Sequence, residues 1–511
     1  MRPNGIWYDR GAESLLYLFI YMEKRNFYIT TTLPYVNAEP HLGHALEFIQ
    51  ADIIARYQKL IGSEVVFNTG TDEHGTKVYR KAQEAKKDPQ AYVDEYAAKF
   101  DEMKSAFNLS YTNFIRTTNP DHKKAAQDFW KRCLEAGDIY KQLYKVKYCV
   151  GCELEKTDSE LVDGKCPIHP TLEIELIEEE NYFFKFSKYQ QPLLDMYQAH
   201  PDFVLPDFRF NEIKEFVKAG LQDFSISRLK EKMPWGVEVP DDDSQVMYVW
   251  FDALINYIST LGWPNDTAKF ETFWGSKENP NAVQVAGKDN LRQQSAMWQS
   301  MLLSADLPPS KQILIHGFIT SGGHKMSKSV GNVVDPFVVA KRYGTDSLRY
   351  WVAREANLFE DSDFTWEKFY EAYTANLVNG LGNLVARVLT MAVKNEVKIA
   401  PRQASELISD DLFHEYRTFM DKFELNRASD MIWKEIQETD RYIQEQEPFK
   451  KIKVDVDAAK RDLEYLLYQL EKIAVMLTPF MPNSSEQIFA ALTSPDAVNI
   501  PKLFPRMELT H

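Results

Sequence analysis

The stretch FYITTTLPYVNAEPHLGHALEFIQADIIARYQKLIGSEVVFNTG, residues 27 to 70, reads as strand, helix and strand in that order. Residues 27–33, FYITTTL, are aromatic and β-branched without a charge, the pattern of a buried strand. After the turn PYVNAEP, apolar positions recur at helical spacing through HLGHALEFIQADIIARYQKL. EVVFNTG, 64–70, is a second strand that ends in the polar loop TDEHG. Strand, crossover helix and strand belong in a parallel sheet covered by helices. In such sheets ligands gather at the carboxyl ends of the strands, where His41, His44 and Asp72 fall.

Outward from this unit, 88–136 reads as helical, and 140–186 is rich in cysteine, glycine and charge, like an inserted module. Helix and strand alternate again from about residue 235: YVWFDALINYIS is helical, AVQVAG (282–287) and QILIHG (312–317) are strands. Beyond 366 no strand pattern survives. WEKFYEAYTANLVNGLGNLVARVL, 411–446 and 456–478 are amphipathic helices that predict a C-terminal bundle. There is no internal repeat.

A chain of 511 residues is too long for one core. With 44% hydrophobic and 26% charged residues it is an ordinary globular composition. The net charge of −15 does not point to nucleic acid, although binding needs only a local basic face. Four cysteines exclude a disulfide scaffold and fit a reducing cytosol. No run reaches the roughly 18 apolar residues of a membrane span. SLLYLFIYM, 14–22, follows Arg10 but lacks a small-residue cleavage site, so it is not read as a signal. Met22 reads as the opening of the functional sequence, and the expectation is that residues 1–21 are an upstream extension from a misassigned start.

Three constellations carry chemistry. PHLGH, 40–44, opens the first helix. His41 and His44 could ligate a metal, cap and pack, or donate to phosphate, which a helix N-terminus attracts. Gly43 lets a nucleotide approach the backbone. HKMSKS, 324–329, follows the flexible TSGG; Lys325 and Lys328 on such a loop can fold over a polyphosphate. Cys149-x-x-Cys152 followed by Cys166-x-x-His169 is a closed tetrahedral set, structural rather than catalytic. With that set complete, His41 and His44 need not bind metal. Cys133 reads as a buried small hydrophobe.

HLGH together with KMSKS resembles the signature pair of class I aminoacyl-tRNA synthetases. TLPYVNAEPHLGH, TGTDEHG, YVWFDALINY and GKDNLRQQSAMW are similar to the methionyl-tRNA synthetase family, and YCVGCELEK…CPIH to its single-zinc connective module. The resemblance covers about 22 to 500. It implies an α/β fold: a Rossmann-like parallel-sheet catalytic domain, an inserted zinc-binding connective module and a C-terminal α-helical bundle. The corresponding boundaries are 22–120 and 236–317 for the catalytic halves, 121–235 for the insertion, 318–370 for the KMSKS loop and stem-contact region, and 371–511 for the anticodon-binding bundle.

The resemblance also implies roles. Asp72 binds the α-ammonium of L-methionine, and Leu33, Tyr35, Trp250, Ala253, Tyr257, Gln294 and Trp298 enclose its side chain. His41, Gly43, His44, Gly287, Asp289, Lys325 and Lys328 bind ATP, with His41, His44 and both lysines catalytic. Asn383, Arg387 and Phe449 meet the anticodon of initiator and elongator tRNA(Met). Implied cofactors are ATP, Mg²⁺ and one structural Zn²⁺; the implied state is a cytoplasmic monomer with no membrane partner. Two positions depart from the family: Gln294 stands where it typically carries histidine, and Phe449 where it carries tryptophan. Competing readings are a cysteinyl-tRNA synthetase, an inactive tRNA-binding module and a small-molecule nucleotidyltransferase.

Overall fold

The structure, a computed structural model, describes residues 25–326, 332–400, 402, 406–407, 411–493 and 500–508. The extension read at 1–21 and Lys328 lie outside the described residues. Strand β1 (Asn26–Thr31), helix α1 (Leu42–Leu60) and strand β2 (Glu64–Thr71) form the expected unit. β1 and β2 pair in parallel, from Asn26 opposite Glu64 to Thr30 opposite Asn68. Four further strands complete the sheet: β3 (Asn113–Arg116), β4 (Val204–Leu205), β5 (Ala282–Gly287) and β6 (Gln312–His316). Their order is β3-β2-β1-β5-β6-β4, parallel throughout. β1 thus has β2 on one side and a strand from the second half of the chain on the other. That reversal of strand order opens a crevice at the carboxyl ends.

Two strands differ from the sequence reading. β3 interrupts 88–136, which reads as continuously helical. The helices there are Pro89–Asp101 and α2 (Pro120–Glu135), capped by Asp88 and Asn119 with proline in the first turn. NFIR is four half-buried residues at the sheet edge and carries no period to detect. β4 lies inside 121–235, read as one insertion, yet it closes the opposite edge of the central sheet. Two residues at an edge leave no pattern.

The inserted module is a long antiparallel pair, Ile139–Cys149 with Glu175–Phe184, in register from Ile139 opposite Phe184 to Tyr148 opposite Glu175. YVWFDALINYIS breaks into α3 (Val249–Ala253) and a second turn, Asn256–Ser259. In the bundle, 411–446 splits at Phe423, whose φ is 59°, into Asp411–Asp421 and a 22-residue helix, Leu425–Gln446.

Helix α4 (Thr345–Tyr350) carries Arg349, which is fully buried. Its guanidinium lies 2.7 Å from Asp52 of α1 and donates to the carbonyls of Pro479 (2.8 Å), Phe480 (2.9 Å) and Phe107 (3.1 Å). Tyr57 of α1 donates to Asp421 at 2.6 Å. The far half of α1 is therefore bonded to the bundle, while its N-terminus faces the crevice.

Candidate active site and zinc cluster

A cavity of about 390 Å³ opens at the carboxyl ends of β1, β2, β5 and β6. Among its lining residues are Leu33, Tyr35, His41, Gly43, His44, Asp72, Trp250, Ala253, Tyr257, Gly287, Asp289 and Gln294. Segments far apart in sequence meet there because every strand of a parallel sheet ends on the same side.

His41 is the N-cap of α1. Its Nδ1 accepts the Gly43 N–H at 3.0 Å, and His44 Nδ1 accepts the His41 N–H at 3.2 Å, a reciprocal capping box built from imidazoles. The rings stack with centroids 3.8 Å apart. With each Nδ1 accepting, the proton of each neutral ring belongs on Nε2, which becomes a donor beside the helix N-terminus. Burial, and then the neighbouring His41, push His44 well below its ordinary value and keep it neutral. Capping and phosphate donation are thus compatible. A Cβ at residue 43 would meet the His41 ring at 2.9 Å, so a glycine suits the turn.

Asp72 is 2% exposed, and its Oδ1 has no hydrogen-bond partner among the described residues. Burial, then the negative Asp252 and Glu153, push its carboxyl well above the usual range. Around it stand Tyr35 and Trp250, edge to face with centroids 6.2 Å apart. A buried, underpaired carboxylate beside aromatic walls can hold an ammonium whose substituent is apolar.

Gln294 donates through Nε2 to the Tyr257 hydroxyl at 2.6 Å and accepts from Gln284 at 3.4 Å. It fixes the Tyr257 ring without a titrating group. Trp298 does not line the cavity. It is fully buried behind Tyr257, ring centroids 5.9 Å apart, and stacks on Phe129.

Cys149, Cys152, Cys166 and His169 converge, with their ligand atoms within 4.8 Å of one another. Cys152 Sγ lies 3.5 Å from Cys166 Sγ and 3.3 Å from His169 Nδ1. A tetrahedral site with roughly 2.3 Å zinc–sulfur bonds has edges near 3.8 Å, so the donor set fits Zn²⁺. Gly151 is required by the knuckle: a Cβ there would meet the His169 ring at 2.5 Å. The cluster also borders the cavity, which Cys152 and His169 help to line.

Comparison with known proteins agrees with this arrangement. The family model described as tRNA synthetases class I (M) matches residues 27–173 and 169–389, and that of the anticodon binding domain of methionyl tRNA ligase matches 359–506. The methionine–tRNA ligase of Thermosynechococcus vestitus is 40% identical over 91% of this chain and 90% of the relative. That of Rickettsia typhi is 37% identical over 92% and 93%. The solved Mycobacterium tuberculosis methionyl-tRNA synthetase in complex with methionyl-adenylate superposes with a TM-score of 0.84 at 35% identity, covering 95% of this chain and 99% of that one. The chain belongs to the methionyl class I tRNA synthetases.

In this synthetase the KMSKS segment begins in the short strand His324–Lys325, and Met326 reaches the cavity. The Lys325 side chain and residue Lys328 lie outside the described set. Asn383 and Arg387 share the helix Asn383–Lys394; Asn383 is exposed and Arg387 pairs with Asp440. Phe449 is 43% exposed at the bundle tip beside Lys450. Among the described residues no helix is long and apolar enough to cross a membrane.

Several residues in and beside the cavity escaped the sequence reading. Glu47 accepts the Thr32 N–H at 2.6 Å and lies 2.8 Å from His316 Nε2, while His316 Nδ1 lies 2.7 Å from the Gly317 carbonyl. Both imidazole nitrogens face acceptors, so His316 is doubly protonated: burial lowers it, but Glu47 outweighs burial and the net shift is upward. Its place at the end of QILIH was the available signal. Glu153, just after Cys152, is 1% exposed and accepts the Lys77 N–H at 3.1 Å. It pegs the zinc knuckle to the first turn of the helix Thr76–Glu84, and only its adjacency to a ligand could have suggested it.

Proposed function

We propose that this synthetase activates L-methionine with ATP to methionyl-adenylate and transfers the methionyl group to the terminal adenosine of tRNA(Met), both initiator and elongator. The observation that carries the reading is Asp72: an underpaired buried carboxylate inside an aromatic-walled cavity that a helix N-terminus adjoins. Asp72 receives the α-ammonium. Leu33, Tyr35, Trp250, Ala253 and Tyr257 surround the thioether, which gains roughly 0.3–1.5 kcal/mol from an aromatic ring. Gln294 and Trp298 hold Tyr257 in place.

The methionine carboxylate is itself the nucleophile at the α-phosphate, so no general base is needed and catalysis is positioning and charge stabilisation. His41 and His44 donate through Nε2 to phosphate oxygens under the helix N-terminus, with Gly43 admitting the nucleotide. Gly287 and Asp289 take the nucleoside side, and Lys325 and Lys328 close over the phosphates. Mg²⁺ would accompany ATP and neutralise phosphate charge. We keep the domain boundaries as proposed, with β4, which pairs with β6, assigned to the catalytic sheet.

The decisive experiment is ATP–pyrophosphate exchange without tRNA, using methionine, leucine, cysteine and homocysteine. Exchange strongest with methionine is expected; exchange strongest with cysteine would favour the cysteinyl reading. That reading is disfavoured because four protein ligands close the metal site and leave no open position. A monomer in the cytoplasm completes the proposal.

Chelating the metal is expected to loosen 139–184 first and to raise the KM for methionine, since Cys152 and His169 line the cavity. Hydrogen exchange localises the loosening. Uniform exchange across the chain, with KM unmoved, would contradict it.

Asn383, Arg387 and Phe449 meet the anticodon loop. Base stacking on an aromatic ring is worth roughly 1–3 kcal/mol, and indole offers more area than phenyl. Phe449→Trp should therefore lower the KM for tRNA while pyrophosphate exchange stays constant. An unchanged KM for tRNA would remove Phe449 from the interface.

A further inference from the structure

Asp252 lies in α3 between two cavity-lining residues, Trp250 and Ala253, and is fully buried. Each of its carboxylate oxygens meets one imidazole nitrogen: Oδ2 lies 2.6 Å from His74 Nδ1, and Oδ1 2.8 Å from His122 Nε2. His74 is two residues beyond Asp72 on the loop leaving β2. His122 stands on α2, and its other nitrogen meets the Ser259 hydroxyl at 2.9 Å. The His74 ring rests edge-on against Trp235, centroids 5.7 Å apart.

We propose that Asp252, gripped by His74 and His122, is a positioning residue of the amino-acid pocket: it ties the Asp72 loop to the helix that carries Trp250 and Ala253. The proposal rests on the reading of Asp72 and Trp250 as the pocket for methionine. Three elements meet at one carboxylate, and two of them carry lining residues of the cavity, Asp72 on one and Trp250 and Ala253 on the other. The distance from the ammonium partner to the aromatic wall is thereby set by the short His74–Asp252 bond as well as by packing, while His122 fixes α3 to α2. Apolar residues of similar volume often fill such a place at no loss of stability, so what a buried carboxylate supplies is geometry. Its charge reaches the pocket too, being the largest influence on Asp72 after burial. Removing it loosens the loop and weakens the field that draws an ammonium inward; both effects fall on methionine rather than on ATP.

The test is pyrophosphate exchange with methionine and ATP varied separately. In Asp252→Asn the amide turns one N–H against an imidazole donor. In His74→Ala the Nδ1 donor is lost, whereas in His74→Asn an amide N–H occupies nearly the same place. Asp252→Asn and His74→Ala are expected to raise the KM for methionine by roughly ten- to hundredfold, the loss of a charge-assisted hydrogen bond. The KM for ATP and kcat should stay within about threefold. His74→Asn should recover most of the methionine affinity.

An unchanged KM for methionine in both variants would overturn the proposal. So would an equal rise in both KM values, or a His74→Asn as impaired as His74→Ala, which would assign the effect to ring packing on Trp235. If Asp252→Asn does not fold, the His74 pair decides alone. Asp72→Asn in the same assay separates the two readings. If it leaves the methionine KM unmoved, the pocket reading falls and takes this inference with it. If it raises the KM while Asp252→Asn and His74→Ala do not, this inference alone falls.

Discussion

Asp72→Asn is expected to raise the KM for methionine between about a hundred- and a thousandfold, because it removes the buried partner of an ammonium. The carboxylate is 2% exposed and one oxygen lacks any partner among the described residues, so the free enzyme holds a charge that burial disfavours. An arriving ammonium supplies the missing partner. Asparagine keeps the shape but leaves the ammonium desolvated and unpaired. The same reasoning fixes a pH dependence. The Asp72 carboxyl titrates above the ordinary carboxylate range through burial and the nearby Asp252 and Glu153. Only the ionised form pairs with an ammonium. Methionine affinity is therefore lost as pH falls through that raised value, at a higher pH than an ordinary aspartate would give. The acid limb should vanish in Asp72→Asn. A wild-type profile flat down to the ordinary aspartate range would refute the account, as would a variant KM within threefold of wild type.

The second large effect is on stability. Arg349→Met is expected to destabilise the chain by roughly 3–5 kcal/mol, the range for breaking a buried ion pair from one side. Asp52 sits below the usual carboxylate range although burial raises it, because Arg349 and then Arg56 outweigh burial. Without Arg349, the buried Asp52 loses the nearer of its cationic neighbours and keeps Arg56 and Ser110, and four carbonyls lose a donor. Removing both charges in Arg349→Met/Asp52→Leu should cost less than the single change, since no fully buried, under-compensated anion remains and Arg56 reaches solvent. Denaturant unfolding of the two variants measures this. A double variant as unstable as the sum of the singles would mean that the pair itself, and not the orphaned charge, carries the stability.

Most of the sheet and the main ligand groups were legible because each had its own local signal. β1, β2, β5 and β6 are buried over most of their length and read as short runs rich in β-branched, aromatic and apolar residues. The zinc ligands announce themselves by paired spacing, and HLGH by its place between strand and helix. What escaped was short or relational. β3 and β4 are edge strands of four and two residues, recognisable only by what they pair with. Glu47 and His316 matter to one another across 269 positions of chain, and no window of sequence contains both. Trp298 was read as pocket wall from the resemblance; in this structure it stands one layer back, against Tyr257. Local periodicity reports which face of an element is buried, but not which of two buried layers meets a ligand.

The strand order has a consequence for how the chain is made. β1 leaves the ribosome long before its partner β5, which begins only at Ala282. At roughly 5–20 residues per second, the exposed flank of β1 waits some ten to fifty seconds for its neighbour. FYITT is uncharged and rich in β-formers, the composition that recruits stray strands from other nascent chains. The zinc hairpin, with contacts local to 139–184, can close meanwhile. Synthesis of this enzyme thus passes through a long interval with a finished appendage and an unfinished core, and growth conditions that slow elongation lengthen it.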